Sequence, residues 1–219
     1  MCSGITPARS AKQMFESSDL LVFITALVAV YLLPGPDMAL VLSASVFQGR
    51  TNGLMVAAGL ALSRALHVSL AGIGLAALLR THPLLFDVVR WVGAAYLCWM
   101  AWKILRDNGT GAGSDPLAGA SCWQALQRGF LTNLLNPKAL MFCALLLPQF
   151  IAPAGNLFEQ YMILGAILVL LGALFDVVYI YGASDLASRF SGSRYGKQIA
   201  RIVFASIFTL AALRLAINR

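Results

Sequence analysis

The amino-acid sequence predicts an all-α membrane protein. Six transmembrane helices are expected, as two inverted three-helix repeats with a broken first helix in each half. Three observations carry this prediction. The first is composition: of 219 residues, 59% are hydrophobic and 11% charged, with a mean hydropathy of +0.78. Soluble domains hold roughly 45–50% apolar and about 25% charged residues. Surface-to-volume scaling prevents a water-soluble chain of this size from hiding so much apolar surface. The second is punctuation: charged residues divide the chain into six apolar runs. About 20 apolar residues cross the roughly 30 Å hydrocarbon core as a helix. The third is a proline-marked motif that recurs 101 residues further on.

The elements follow in order. Residues 1–19 are polar and read as a tail before the first span; the apolar stretch after them is too long for a signal peptide. Residues 20–219 read as a single transmembrane domain, with halves 20–105 and 123–217 and a loop at 106–122. The first run lies between Asp19 and Arg50, with Asp37 inside it. The second, between Arg50 and Arg80, holds Arg64 and, one turn further on, His67. The third covers Leu84–Trp102. The Gly-, Ser-, Asp- and Pro-rich stretch Arg106–Ser121 is the clear loop. The fourth run, Gly129–Phe158, holds Lys138, and the fifth, Gln160–Ser184, holds Asp176. Asp185–Arg201 reads as a polar, basic connection, and Ile202–Leu213 as a short sixth span. Continuous rather than alternating apolar runs argue against a barrel, and a helix satisfies its own backbone in lipid.

The net charge of +7 suits anionic lipid head groups, because the basic residues fall mainly between the apolar runs. Nucleic acid is therefore not an expected partner. The positive-inside rule leans toward both termini outside, chiefly because of the basic stretch Arg189–Arg201. The cysteines Cys2, Cys98, Cys122 and Cys143 form no CxxC pair. They read as small hydrophobes, with no disulfide framework or metal site. Gly59, Gly72, Gly74 and Gly93 read as close helix contacts.

The chemistry concentrates at two helix breaks. Pro34-Gly35-Pro36-Asp37 lies within the first run. Each proline removes a backbone donor, so the helix must kink or break there. The freed carbonyls are tolerated at bilayer depth only where protein or water covers them. A packing kink is the bland explanation; a carboxylate directly after the break favours function. Asn133-Leu134-Leu135-Asn136-Pro137-Lys138 is the matching break, with the asparagines on one face if helix continues. Lys138 follows its proline as Asp37 follows Pro36. A lysine at membrane depth costs about 2.5–3.5 kcal/mol on insertion scales. It either snorkels from a helix end or shares a central site with Asp37 as an ion pair.

Asp176 is either a proton- or cation-coupling carboxylate or a packing group. Arg64 either pairs with Asp176 or holds a substrate carboxylate with its two-pronged guanidinium. His67 is either a proton relay or a satisfied core histidine. Pro34, Gly35, Pro36, Asp37, Asn133, Asn136, Pro137, Lys138 and Arg64 are thus candidate substrate-binding residues. Asp37, Asp176 and His67 are candidate proton-coupling residues. No catalytic or metal-ligating residue and no cofactor is expected.

Pro34–Gln48, running into Gly49-Arg50 and Gly53-Leu54, resembles the opening signature of the LysE/RhtB family of amino-acid exporters. Asn133–Phe150 resembles that family's second signature, and weaker similarity runs over most of Leu20–Ala216. The resemblance implies a multi-pass protein of the bacterial inner membrane. It implies export of amino acids as a proton-driven antiporter, the family handling basic amino acids or homoserine, threonine and other neutral ones, with a small or neutral, homoserine- or threonine-like substrate expected here. Its motif positions here are Pro34, Gly35, Pro36, Asp37, Asn133, Asn136, Pro137, Lys138 and Asp176. The polar N-terminal tail is longer than is usual for the family. Arg64 also departs from the family's pattern of small or apolar residues, which bears on substrate charge. The expected partners are an amino-acid substrate, a proton or other coupling ion and membrane lipid, with a homodimer as an open alternative. An ion channel or an intramembrane enzyme is the competing function. An enzyme would want a nucleophile–base pair or a metal motif, and a channel would want polar rings along a pore.

Overall fold

A computed structural model describes residues 17–74, 83–106, 121–152 and 156–190, with residues 198, 202, 203, 205–207, 209, 210, 212 and 213. Among these, every regular element is helical. The helices are α1 (Ser17–Leu32), α2 (Pro36–Gln48), α3 (Arg50–Ile73), α4 (Pro83–Arg106), α5 (Cys122–Leu134), α6 (Pro137–Met141) and α7 (Leu157–Phe190). A π-helical turn, Phe142–Leu146, and a 3-10 turn, Leu147–Phe150, continue α6.

Two single helices have the length and apolarity of membrane spans: Arg50–Ile73, of 24 residues, and Leu157–Ala183, of 27. At 1.5 Å per residue, 24 residues reach about 36 Å. Two further pairs qualify as broken spans, Asp19–Leu32 with Pro36–Gln48 and Cys122–Leu134 with Pro137–Phe150. Each pair is bent by 55°. Among the described residues this gives two to four spans rather than the six expected. The described residues of 202–213 are helical, where a sixth run was read.

Several boundaries differ from the sequence reading. Ser17–Asp19 begin α1 rather than end a tail; residues 1–16 lie outside the described residues. Residues 185–190, read as part of a polar connection, continue α7. No proline or glycine lies between Asp185 and Gly192, so charge alone does not stop that helix. The loop expected at 106–122 loses its ends to α4 and α5, and 107–120 lie outside the described residues. The fourth run ends at Phe150 rather than Phe158. Pro148 has no N–H for the carbonyl of Ala144, so the helix widens to a π turn and then tightens to a 3-10 turn.

The helices are apolar outward and polar inward. On α3, Leu62, Leu66 and Leu70 are exposed at four-residue spacing, whereas Ser63, Arg64 and His67 are buried. On α7, Leu170, Leu174 and Val178 are exposed and Asp176 is buried. In water this polarity would be inverted. Lipid is the solvent that tolerates it, and the chain is a membrane protein.

Packing divides into two apolar clusters. One joins Leu40, Val56, Leu60, Met100 and Ile180. The other joins Phe23, Leu27, Val68, Phe142, Leu147, Leu164 and Leu168. Along α3, Arg64 and His67 fall between the stretches that enter each cluster. Along α7, Asp176 does the same. A polar layer is therefore sealed between two apolar ones. Gln160, fully buried, ties the end of the second broken span to α7: its Nε2 donates to Ala152 O (3.0 Å) and its Oε1 accepts from Ala152 N (2.7 Å).

Glycine sets two features. Gly49 (φ 86°) and Gly74 (φ 111°) bound α3 in conformations that L side chains avoid. Gly59 and Gly129 bring α3 and α5 into backbone contact, the most extensive helix pairing among the described residues. A Cβ on Gly59 would strike Leu126 O, and one on Gly129 would strike Val56 O. Backbone atoms cannot rotate away. Gly59→Ala is therefore expected to lower the thermal unfolding midpoint in detergent by forcing the helices apart, at a cost of about 1–3 kcal/mol. Gly72→Ala is the control: its Cβ would rest 3.5 Å from the Tyr161 ring, an ordinary contact, and the midpoint should hardly change.

Candidate functional site

The two breaks meet. At the first, Leu33–Gly35 are non-helical and Pro36 opens α2 at its first turn. Gly35 is extended (φ −163°), a backbone any residue adopts. At the second, Leu135 ends α5, and Asn136 caps α6 by accepting from Lys138 N with its Oδ1 (3.1 Å). Proline at the first helical position needs no N–H there. The sequence thus stops and restarts each helix within a few residues.

Each half holds the charged group of the other. Asp37 accepts from Asn133 Nδ2 (2.6 Å at Oδ2) and from Asn136 Nδ2 (3.0 Å at Oδ1). Lys138 Nζ donates to Val30 O (3.0 Å) and Leu33 O (3.2 Å). Helix does not continue between the asparagines, yet both reach one carboxylate. The side chain of Asn136 does two jobs, its oxygen capping α6 and its nitrogen holding Asp37.

A second charge pair adjoins the first. Arg64 Nη1 donates to Asp176 Oδ2 at 2.6 Å and Nη2 to Oδ1 at 3.3 Å. Both residues are 3% exposed. Such burial makes the two-pronged pairing obligatory rather than optional, because either charge alone would be left unsolvated. The guanidinium carbon lies 5.2 Å from the Tyr31 ring centroid, a cation–π contact. Tyr31 OH donates to Leu168 O (2.8 Å), and Tyr179 OH donates to Tyr31 O (2.9 Å). A Cβ on Gly172 would come within 2.7 Å of Arg64 Nη1 and 2.8 Å of Tyr31 OH, so that glycine makes room for the pair.

A cavity of about 50 Å³ lies among these groups. Its lining includes Gly35, Asp37, Arg64, Asn133, Lys138 and Asp176. Leu27, Val30, Met38 and Phe142 supply apolar wall. One water needs roughly 10–15 Å³ measured this way, so only a few fit. Asn133 Oδ1 is buried with no hydrogen-bond partner.

Of the sequence-predicted residues, Asp37, Asn133, Asn136, Lys138, Arg64 and Asp176 converge here. Pro34, Pro36 and Pro137 act through the backbone. His67 does not line the cavity. It is buried, faces the backbone of Leu134 at the end of α5, and has neither ring nitrogen in hydrogen-bond geometry. Tyr31, Tyr179, Cys143 and the carbonyls of Val30 and Leu33 belong to the site and escape a sequence reading. Tyr31 alone leaves a trace, as a polar-tipped ring three residues before Pro34. No group of metal-ligating residues occurs among the described residues.

The LysE type translocator family matches residues 28–219. A homoserine/homoserine lactone efflux protein of Salmonella typhimurium is 32% identical over 189 residues, covering 85% of this chain and 90% of that protein. A leucine efflux protein of Enterobacter is 30% identical over 213 residues, covering 93% and 99%. An uncharacterised membrane protein of Vibrio cholerae is 31% identical over 169 residues, covering 77% and 80%. No solved structure gives a significant match.

Proposed function

The chain belongs to the LysE type translocator family, and from that premise we propose that it is a secondary transporter exporting neutral amino acids across the bacterial inner membrane. The observation that carries this reading is the charge balance of the cavity. Asp37 and Asp176 oppose Lys138 and Arg64 among the residues lining it. A zwitterion with an uncharged side chain enters without adding net charge to a low-dielectric layer. A lysine- or arginine-like solute would bring an uncompensated cation, which is costly there. The apolar wall suits an aliphatic or hydroxylated side chain such as those of leucine, homoserine or threonine, and the names of the relatives agree with that class.

In the proposed binding mode, Lys138 faces the substrate carboxylate and Asp37 carries the coupling proton. Arg64 is committed to Asp176. The open Oδ1 of Asn133 accepts one more donor from the substrate. Ligand pockets usually measure about 300–1,000 Å³, far above the cavity seen here, so the described state is closed to substrate. Binding then requires the bent helices to part. Two proline-broken spans with equal 55° bends support alternating access, and in this proposal the two halves move as inverted repeats. Asp37 is the favoured proton carrier. Protonating Asp176 would surrender two charge-assisted hydrogen bonds and strand Arg64. His67, outside the cavity, serves as a relay at most.

The test is a comparison of amino acids in culture medium with and without expression, with Asp37→Ala as control. One or more neutral amino acids should accumulate, and a protonophore should stop it. Accumulation of basic amino acids alone would overturn the neutral-substrate reading.

A further inference from the structure

Lys138 reaches across the site to two backbone oxygens that the helix break leaves open. In an unbroken helix Val30 O would accept from residue 34, which is Pro34 and has no N–H. Leu33 O would accept from Asp37 N, but the chain bends by 55° between them. Both oxygens lie at the C-terminal, partially negative end of α1. Away from water, such oxygens cost free energy unless a donor reaches them. Lys138 Nζ donates to both. Nζ lies over Gly35, where a Cβ would sit 3.4 Å from it, an ordinary contact. In the same cavity the carboxylate of Asp37 rests on the amides of Asn133 and Asn136. The chain therefore sets its own ammonium on carbonyls and its own carboxylate on amide donors. Those are the partners a free amino acid seeks.

We infer that the carbonyls of Val30 and Leu33 form a primary-ammonium subsite. Lys138 fills it in the closed state, and the ammonium of the transported amino acid takes its place. The displaced Lys138 then meets the substrate carboxylate, so occupancy of one subsite supplies the counter-charge of the other. This inference rests on the export reading only for the natural occupant. Carbonyl oxygens select by N–H donors, so a primary ammonium fits and a quaternary ammonium of the same charge does not.

Thermal unfolding of the full-length protein in detergent tests this without any transport step. Wild type and Lys138→Ala are compared in methylammonium chloride and in tetramethylammonium chloride at equal ionic strength. Methylammonium should raise the midpoint of Lys138→Ala saturably and that of wild type much less, and tetramethylammonium should raise neither. Equal shifts with the two ions, or an equal methylammonium shift in wild type, overturn the subsite. Should Lys138→Ala not fold unaided, solubilising it with methylammonium should recover folded protein where tetramethylammonium does not. Recovery by neither ion, in Lys138→Ala and in Lys138→Ser, also overturns it. A failure of the export reading would show in the culture medium and leave this result unaffected.

Discussion

Asp37→Asn is expected to lower export about 10- to 100-fold at an unchanged level of protein in the membrane. Asp37 accepts two amide hydrogen bonds with its two oxygens. Asparagine keeps one oxygen and turns an NH2 group toward another NH2, so one bond becomes donor against donor. The change also removes one negative charge from a balanced cavity. Hydrogen bonds to charged groups contribute about 1.5–3 kcal/mol, and 1.4 kcal/mol is a factor of ten. Asp37→Glu separates the two causes, because it retains charge while displacing it by one methylene. Export would be measured as accumulation in the medium, normalised to membrane-inserted protein. Undiminished export by Asp37→Asn would remove Asp37 from the site.

Arg64→Ala is expected to reduce stability more than any single change at the surface. It leaves Asp176 buried without a partner, which costs about 3–5 kcal/mol. Arg64→Lys should recover part of this, because it restores charge but not the planar two-pronged contact. The double change Arg64→Met with Asp176→Leu should recover more, since an apolar pair leaves no stranded charge. Its export should stay low, because the cavity has lost two of its lining charges. Thermal unfolding in detergent gives the order of stability. A single Arg64→Ala variant as stable as wild type would show that the pair is dispensable to the fold.

Much of the architecture was legible in the sequence. Proline and glycine dictate their own backbone limits, so both breaks could be placed to within a residue or two, at Pro34–Pro36 and Asn136–Pro137. Asp37, Arg64, Lys138 and Asp176 also announced themselves, because a charge at bilayer depth needs a reason. Partners were less legible. The sequence offered Asp37 a pairing with Lys138, and it did not show that Asp37 also rests on the amides of Asn133 and Asn136 or that Lys138 reaches two carbonyls. It left Arg64 undecided between Asp176 and a substrate, and the structure pairs it with Asp176. His67 sits one turn from Arg64, yet its ring faces the end of α5 and not the cavity.

What the sequence determined by itself is set by local covalent chemistry and by solvent. Missing N–H groups fix where helices stop, and the excess of apolar side chains fixes lipid as the medium. Which oxygen each cation meets is set by the packing of the helices. Backbone carbonyls are identical in every residue, so nothing in the letters marks those of Val30 and Leu33. They become a site only because a helix ends there and another helix, 100 or so residues away in the chain, brings an ammonium within 3.2 Å.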